Sequence, residues 1–230
     1  MLVAENIAKL EERIQKACDL SGRKRTDITL MGVSKFVPIE KIKEAYNAGV
    51  RCFGESRVKE ALDKFGEFKS GFADAQLHLI GSLQRNKAKN AALLFDCVQS
   101  ADRDELIEEL SKHSLLRSQP LRVMLEFRTG EETKSGYENI DALLRAAELV
   151  LKCEKLKPAG FMTMAPFTDD TNLIRSSFRM LVKAREEVKK RFPSNENWEC
   201  LSMGMSNDFE IAIEEGSNLL RIGGAIFKDE

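Results

Sequence analysis

The sequence predicts a single-domain α/β protein, folded as a closed (βα)8 barrel of the TIM-barrel type with an extra N-terminal helix. Short apolar segments alternate with helix-like segments along the 230 residues, a pattern typical of parallel sheets. Eight such units fit a closed barrel better than an open sheet. No linker or repeat marks a boundary, so residues 1–230 are predicted to form one domain. An open doubly wound sheet is the alternative.

The elements follow from their periodicity. Residues 3–20 place Ile7, Leu10, Ile14 and Cys18 at helical spacing, which predicts an amphipathic helix packed on the barrel. Asp102 and Glu105 have the spacing of a capping box at a helix start. Further helices are expected near 137–152, 171–190 and 207–215. The predicted strands are 28–34, 50–53, 77–80, 96–99, 121–127, 158–163, 198–202 and 218–222.

Composition narrows the class of protein. The formal net charge is -1, with charges scattered along the chain, which gives no reason to expect a nucleic-acid or membrane partner. The five cysteines are odd in number, widely spaced and without a CxxC pair, so we expect reduced thiols and no zinc site. No signal-like or membrane-spanning segment is visible. These features predict a cytoplasmic protein.

Lys35 is the first candidate for chemistry. It ends the apolar run 28–34, so it is expected at the carboxyl end of the first strand, where barrel enzymes place their active sites. A lysine on this rim can form a Schiff base if its amine is deprotonated by desolvation or a neighbouring cation. Lys87, Lys89 and Lys134 are rival lysines. The alternative is a rim lysine that extends into water.

Two loops rich in small residues predict a phosphate site on the same rim. The segments 201–207 and 221–225 follow the last two strands, the usual phosphate-binding position in such barrels. Ser202 and Ser206 offer hydroxyls, Gly223 and Gly224 offer backbone N–H groups, and Arg221 offers a fixed charge. Ordinary turns and a structural ion pair would explain the same residues. A phosphate cradle beside an amine indicates a phosphorylated aldehyde, with pyridoxal phosphate (PLP) as the leading candidate.

Other residues near the rim have weaker signals. His78 in the third strand would bind a ligand or satisfy a buried neighbour. Met162, Met164, Met203 and Met205 would pack against a flat ring or fill the core, their commoner use. We find no Ser-His-Asp set, metal-ligand cluster or Walker-type loop, so no hydrolase or metal site is predicted.

Several motifs together resemble the pyridoxal phosphate homeostasis protein family. They cover most of the chain in the expected order: residues 32–35 (GVSK), 53–60 (FGESRVKE), 78–87 (HLIGSLQRNK), 130–136 (GEETKSG), 160–166 (GFMTMAP) and 201–227. The resemblance implies a barrel like the N-terminal domain of alanine racemase, with PLP held on Lys35 as an internal aldimine. It implies phosphate contacts from Ser202, Ser206, Arg221, Gly223 and Gly224. It also places Ser56, His78, Met164 and Met203 among the cofactor-binding residues.

The implied role is to hold, buffer or deliver the cofactor, without robust catalysis. Racemase chemistry needs a second domain with a second base, and 230 residues leave no room for that domain. The resemblance further implies a monomer that supplies PLP-dependent apo-enzymes. The alternatives are an amino-acid racemase, a Schiff-base aldolase acting on a sugar phosphate, and a regulatory module that binds proteins through its outer helices.

The chain departs from the family at several positions. Ser56 stands where Asn is usual, Leu77 where Trp is usual, and Gly224 where Thr or Ser is usual. Residues 126–128 (Glu-Phe-Arg) replace a Val-Asn-type stretch. The change at Gly224 removes one hydroxyl from the predicted phosphate site and leaves its N–H group. None of the departures touches Lys35.

Overall fold

Eight parallel strands close into a barrel in the computed structural model, which describes residues 2–72, 74–130, 135–195 and 197–228. Each strand pairs with the next, and the last pairs back to the first, which confirms the closed barrel over the open sheet. The strands are β1 (Thr29–Val33), β2 (Cys52–Glu55), β3 (Gln76–Leu79), β4 (Cys97–Ala101), β5 (Leu121–Glu126), β6 (Leu156–Met162), β7 (Cys200–Ser202) and β8 (Leu219–Ile222).

Helices surround the barrel in the alternating order predicted. They are α1 (Leu2–Leu20), α2 (Ile39–Asn47), α3 (Val58–Gly71), α4 (Ala88–Leu94), α5 (Asp104–Ser114), α6 (Ile140–Lys152), α7 (Thr171–Arg191), α8 (Phe209–Glu214) and α9 (Gly224–Phe227). A 3-10 turn at Arg85–Lys87 precedes α4, and the predicted C-terminal tail is the short helix α9.

The N-terminal helix α1 packs on the outside of the barrel, as its apolar stripe predicts. Ile7, Leu10 and Ile14 are buried against α2, α8 and α9. Asn6 is also buried, and its side-chain amide donates to the Ile226 carbonyl at 3.1 Å. The helix is therefore joined to the last turn of the chain by both packing and a hydrogen bond.

A small apolar cluster fills the barrel interior. It is separate from the larger core between strands and helices, because strand side chains alternate between the two faces. Its buried members are Met31, Cys52, Cys97, Met124, Ala159 and Leu219. Burial raises the pKa of Cys97 and that of the neighbouring Cys200 to about 12, so these thiols are protonated at neutral pH. All five cysteines are free.

Two local predictions were wrong. The sixth helix starts at Ile140 rather than near 137, because Asn139 caps it by accepting from the Ala142 N–H group, while Tyr137 pairs with Phe127 as an extended bridge. Asp102 does not cap α5. Since β4 runs on to Ala101, Asp102 directly follows the strand and forms an ion pair at 2.5 Å with Arg103, which holds the N-cap position.

Candidate functional site at the carboxyl end of the barrel

The barrel places Lys35 on the carboxyl rim, as predicted. It lies two residues beyond the end of β1, and its side chain is exposed, whereas the preceding Ser34 is fully buried. β8 is the neighbour of β1 in the barrel, with Met31 opposite Arg221 and Gly32 opposite Ile222. The lysine and the last predicted phosphate loop therefore lie on adjacent strands. Lys87 and Lys89, the rivals within the described residues, are exposed near the start of α4; Lys134 and residues 131–133 lie outside the described residues.

Below the rim, four buried side chains form a directional hydrogen-bond chain across the barrel. Arg221 donates to the Ser202 hydroxyl at 2.9 Å, and Ser202 donates to Gln99 Oε1 at 2.7 Å. The Gln99 amide in turn donates to His78 Nδ1 at 2.8 Å, which places the imidazole proton on Nε2, 3.4 Å from Gln76 Oε1. We call Arg221, Ser202, Gln99 and His78 the polar floor.

Arg221 is the charged end of the polar floor. It is only 4% exposed, and besides the Ser202 hydroxyl it binds the carbonyl oxygens of Ser202 at 2.6 Å and Thr163 at 2.7 Å. The described structure thus uses three of its five N–H donors. Burial lowers the pKa of Arg221 to about 10, partly offset by Asp208 and Glu126, so the guanidinium stays charged at neutral pH.

Glu126 adds a carboxyl group that the sequence analysis noted only as a departure from the family. It ends β5, four strands from β1 in barrel order. Glu126 therefore lies on the side opposite Lys35 at the carboxyl end of the barrel, which we call the mouth. The side chain is 3% exposed and accepts from Ser135 Oγ at 2.9 Å. Burial raises the pKa of Glu126 to about 7, against the lowering effect of Ser135 and Arg221. This carboxyl group titrates near neutral pH.

The loop after β7 is hydrogen-bonded to strand β8. Gly204 adopts φ +97°, and its carbonyl accepts from the Arg221 N–H group at 2.9 Å. A Cβ on Gly204 would lie 2.6 Å from the Cβ of Ala212, so only glycine fits there. Asp208 holds the next residue of this loop by accepting from the Met205 N–H group at 2.5 Å. The start of the loop after β7 is thus held against β8, the strand that precedes α9.

The space at Gly224, in the loop after β8, is open. Gly224 is exposed, and a Cβ there would meet only the Lys228 side chain, at 3.6 Å. Gly224 and Ala225 form the first turn of α9, whose N–H groups have no intrahelical acceptor. Ser206, in the loop after β7, is half-buried. Backbone donors, small residues and the buried charge of Arg221 fit an anionic group of phosphate size.

The other predicted residues divide into two groups. Ser56 and Met164 are half-buried in the loops after β2 and β6, so the structure brings them to the mouth with Lys35. Met203 is different, because its side chain is fully buried in the core between strands and helices. Only the Met203 backbone lies at the rim. The close approach of Ser56 and Gly81, where an added Cβ would lie 2.3 Å from the Ser56 carbonyl oxygen, fixes the β2 side of the mouth.

Gln99 and Thr163 were not identified from the sequence. Gln99 is a large polar residue in the middle of a buried strand of otherwise apolar or small residues, and that position was the available signal. Thr163 lies one residue beyond β6; its hydroxyl donates to the Phe127 carbonyl at 2.8 Å and its own carbonyl accepts from Arg221. Both residues act by holding others in place, which a single sequence does not reveal.

A cavity of about 500 Å³ lies at the opposite end of the barrel, lined by α1 and the starts of β1 to β3. Its two arginines are already paired: Arg25 with Glu11 at 2.6 Å, and Arg51 with Asp74 at 2.7 Å. Their charge is therefore neutralised, and the carboxyl end remains the better site for an anion.

Comparison with known proteins shows which family the chain belongs to. Residues 6–230 match the family described as alanine racemase, N-terminal domain. The chain is 39% identical over 228 residues to the pyridoxal phosphate homeostasis protein of Aquifex aeolicus, covering 99% of this chain and 98% of that protein. The chain belongs to the pyridoxal phosphate homeostasis protein family. The resemblance inferred from its motifs is thereby confirmed.

Two solved structures share the fold of this chain. PipY of Synechococcus elongatus, solved with PLP bound, has a TM-score of 0.83 and 29% identity, with 98% of this chain and all of that chain covered. Alanine racemase from Streptomyces coelicolor has a TM-score of 0.72 at 17% identity, and the match spans 97% of this chain but 58% of that enzyme. That likeness shows the fold alone.

Within the described residues, no group of three or more His, Cys, Asp or Glu side chains is arranged to hold a metal ion. No helix in the same part of the chain is both long and apolar enough to cross a bilayer.

Proposed function

We propose that this protein binds PLP and holds it as a Schiff base on Lys35, as a member of a family whose proteins are named for pyridoxal phosphate homeostasis. The observation that carries the proposal is the position of Lys35 beside β8, where an exposed amine and the buried charge of Arg221 share one end of the barrel. The PLP-bound PipY, which aligns over its whole length, supports the same cofactor.

Each part of the mouth has a separate task in this proposal. Lys35 supplies the amine that condenses with the cofactor's aldehyde, forming a C=N bond and releasing water. The loops containing Ser206, Gly223 and Gly224 offer backbone N–H groups to the phosphate. Arg221 adds positive charge below them, while Ser202 and Gln99 hold its guanidinium in place. Ser56 and Met164 border the space left for the ring.

PLP supplies a reversible covalent link to an amine, which suits storage and transfer as well as catalysis. We propose storage and delivery as the main role, with PLP-dependent apo-enzymes as recipients, a monomeric state and a cytoplasmic location. The free thiols are in keeping with a reducing compartment. The alanine racemase matched above is longer, and this chain corresponds to 58% of it.

The competing proposal is an enzyme, a PLP-dependent racemase or a Schiff-base enzyme acting on a phosphorylated small molecule. Glu126 is the feature that favours it, because a carboxyl group with a pKa of about 7 at the mouth could exchange protons with a bound substrate. Turnover assays on amino acids and on sugar phosphates separate the two proposals. Sustained turnover that is lost in Lys35→Ala would displace the carrier role.

The binding proposal is tested by the visible absorption spectrum of protein loaded with PLP, before and after borohydride reduction. We expect a yellow band that reduction bleaches, with the reduced adduct mapped to the peptide containing Lys35. Lys35→Ala should lose the adduct without losing the fold, because the side chain is exposed. Lys87→Ala, a change of another exposed lysine, is the control and should keep the adduct. A protein that stays colourless with added PLP would refute the proposal.

A further inference from the structure

The backbone on both sides of Lys35 is held by two side chains of α3. Lys64 donates from Nζ to the Ser34 carbonyl at 2.7 Å, immediately before the lysine. Glu60 accepts at Oε1 from the Phe36 N–H group at 2.5 Å, immediately after it. These two bonds fix the peptide groups that flank the Lys35 Cα atom. Both bonds come from the helix that follows β2, the strand next to β1.

The two holding residues are also bound to each other. Lys64 and Glu60 stand one helical turn apart, with Nζ 2.8 Å from Oε1. The Lys64 side chain is 14% exposed, so the pair is largely sheltered from water. Burial raises the pKa of Glu60, but hydrogen bonds from Lys64 and the Phe36 N–H group outweigh it, and the net pKa is lowered. We call Glu60 and Lys64 the α3 clamp.

Glu55 anchors the α3 clamp from below. It is fully buried, and its Oε1 accepts from Lys64 at 2.8 Å and from the Ser34 hydroxyl at 2.7 Å. Its other oxygen, Oε2, is buried without a hydrogen-bond partner. Burial raises the pKa of Glu55, and the bonds from Lys64 and Ser34 offset this only in part. A buried carboxyl group with one unpaired oxygen lowers the stability of the fold. This indicates that the arrangement serves something other than stability.

The turn that the clamp holds is strained. Phe36 adopts φ +60°, and no other non-glycine residue in the described part of the chain has a positive φ. Its ring is 69% exposed and lies 5.4 Å from the Arg57 guanidinium. A β-region backbone conformation of Phe36 would have a lower conformational energy. The surrounding contacts must therefore impose the positive φ. Strained backbone of this kind is commonly found where a functional side chain has to be aimed.

We propose that the α3 clamp positions Lys35 for Schiff-base formation by fixing the backbone on both sides of it. This inference deepens the proposed function and rests on it. Glu60 and Lys64 touch neither the amine nor the cofactor in this proposal; they restrict the conformations from which the amine can reach the aldehyde. Such restriction favours the bond that Lys35 makes, and does not affect the grip of the loops on the phosphate.

The experiment compares two ligands in each variant. PLP has the aldehyde, whereas pyridoxine 5'-phosphate has a hydroxymethyl group in its place and binds only through ring and phosphate. Lys64→Met keeps the apolar stem and removes the donor, and Glu60→Ala removes the acceptor. Glu60→Gln keeps an acceptor oxygen for the Phe36 N–H group and is the conservative variant. Lys59→Met repeats the Lys64 substitution at an exposed position on the same helix and is the matched control.

We expect Lys64→Met and Glu60→Ala to weaken PLP retention about tenfold, as for one lost charge-assisted hydrogen bond, while pyridoxine 5'-phosphate binds as in the wild type. The pH midpoint of the visible band should also shift in these two variants. Glu60→Gln should recover most of the retention, and Lys59→Met should match the wild type in every measurement.

Other outcomes overturn the proposal in distinguishable ways. If the wild type binds PLP and both variants match Lys59→Met, the clamp does not position Lys35. If the variants lose pyridoxine 5'-phosphate as well, the cluster only maintains the local structure. A wild-type protein that forms no adduct at Lys35 would refute the proposed function, and the clamp with it.

Discussion

Arg221 binds both oxygens of Ser202: the carbonyl at 2.6 Å and the hydroxyl at 2.9 Å. Since Ser202 ends β7 and Arg221 lies in β8, this contact joins the two strands whose loops form the proposed phosphate site. The guanidinium therefore stabilises the barrel and also places a buried positive charge in the strand that leads into the proposed phosphate site.

Arg221→Lys should lower both stability and PLP affinity. A lysine ammonium cannot span the Ser202 and Thr163 oxygens together, so at least one buried charge-assisted hydrogen bond is lost, at a cost of about 1–3 kcal/mol of unfolding free energy. Urea unfolding measures the loss, and Arg145→Lys, at an exposed position of α6, is the control. Unchanged stability with unchanged affinity would show that the contacts of Arg221 are dispensable.

Gln99→Leu should break the polar floor. The change leaves the Ser202 hydroxyl without its acceptor and His78 Nδ1 without its donor, for an expected loss of about 1–3 kcal/mol in unfolding free energy. Nitrogen NMR of the His78 ring should report a change in the population of the Nε2-protonated tautomer. Gln84→Leu, at an exposed loop position, should alter neither quantity. An unaltered His78 spectrum in Gln99→Leu would contradict the hydrogen-bond direction described above.

Glu126 should make stability depend on pH. Burial raises its pKa from 4.5 to about 7. Between these two pH values the folded state keeps a proton that the unfolded state has already released. The contribution of Glu126 is therefore fully present below pH 4.5 and is lost as pH rises through 7, by about 3 kcal/mol at most. Urea unfolding at pH 5 and pH 8 measures the loss.

Glu126→Gln isolates this effect from other titrating groups. Burial also raises the pKa values of Asp102 and Asp208, so the wild type alone would mix several contributions. We expect the stability difference between wild type and Glu126→Gln to move in favour of the variant as pH rises from 5 to 8. A difference that is independent of pH would mean that Glu126 titrates below this window.

Gly204→Ala should destabilise the loop after β7. The residue has φ +97°, and the new Cβ would approach that of Ala212 to 2.6 Å, so backbone strain and a clash combine. We expect a loss of about 1–3 kcal/mol in unfolding free energy and weaker phosphate binding. Gly66→Ala in α3 is the control, with an effect expected in the opposite direction. No heavy atom lies within 4 Å of its added Cβ, so we expect a gain of about 0.5–1 kcal/mol in unfolding free energy. Equal effects of the two changes would refute the argument.

Sequence periodicity was sufficient to predict the closed barrel and the buried face of α1. It was also sufficient to place Lys35 at the end of β1, because the strand and the following Pro38 are local features. It was not sufficient for the polar floor, since Arg221, Gln99 and His78 come from three strands, and their meeting depends on barrel register. The α3 clamp was missed for the same reason: Lys64 and Glu60 read as an ordinary surface pair until α3 is folded against Ser34 and Phe36.

The departure from the family pattern at residues 126–128 was noticed in the sequence without a physical meaning. Glu126 illustrates this, because a glutamate at the end of a strand can be solvated or buried, and only the fold shows that it is buried beside Ser135. Met203 shows the converse: its place in a small-residue loop pointed to the mouth, yet the side chain packs into the core. Which way a rim residue faces depends on strand tilt and loop geometry, and neither is a local property of the sequence.

The pairing of β1 with β8 also has a consequence for how the protein is made. Residue 35 leaves the ribosome early, whereas residue 221 follows at the far end of the chain, and only their two strands in contact complete the mouth. Contacts this distant in sequence form late and slowly. A nascent chain would therefore carry the lysine proposed to bind PLP long before it could retain a phosphorylated aldehyde. Cofactor capture is thus tied to barrel closure, and a translation intermediate should be unable to compete for the cellular supply.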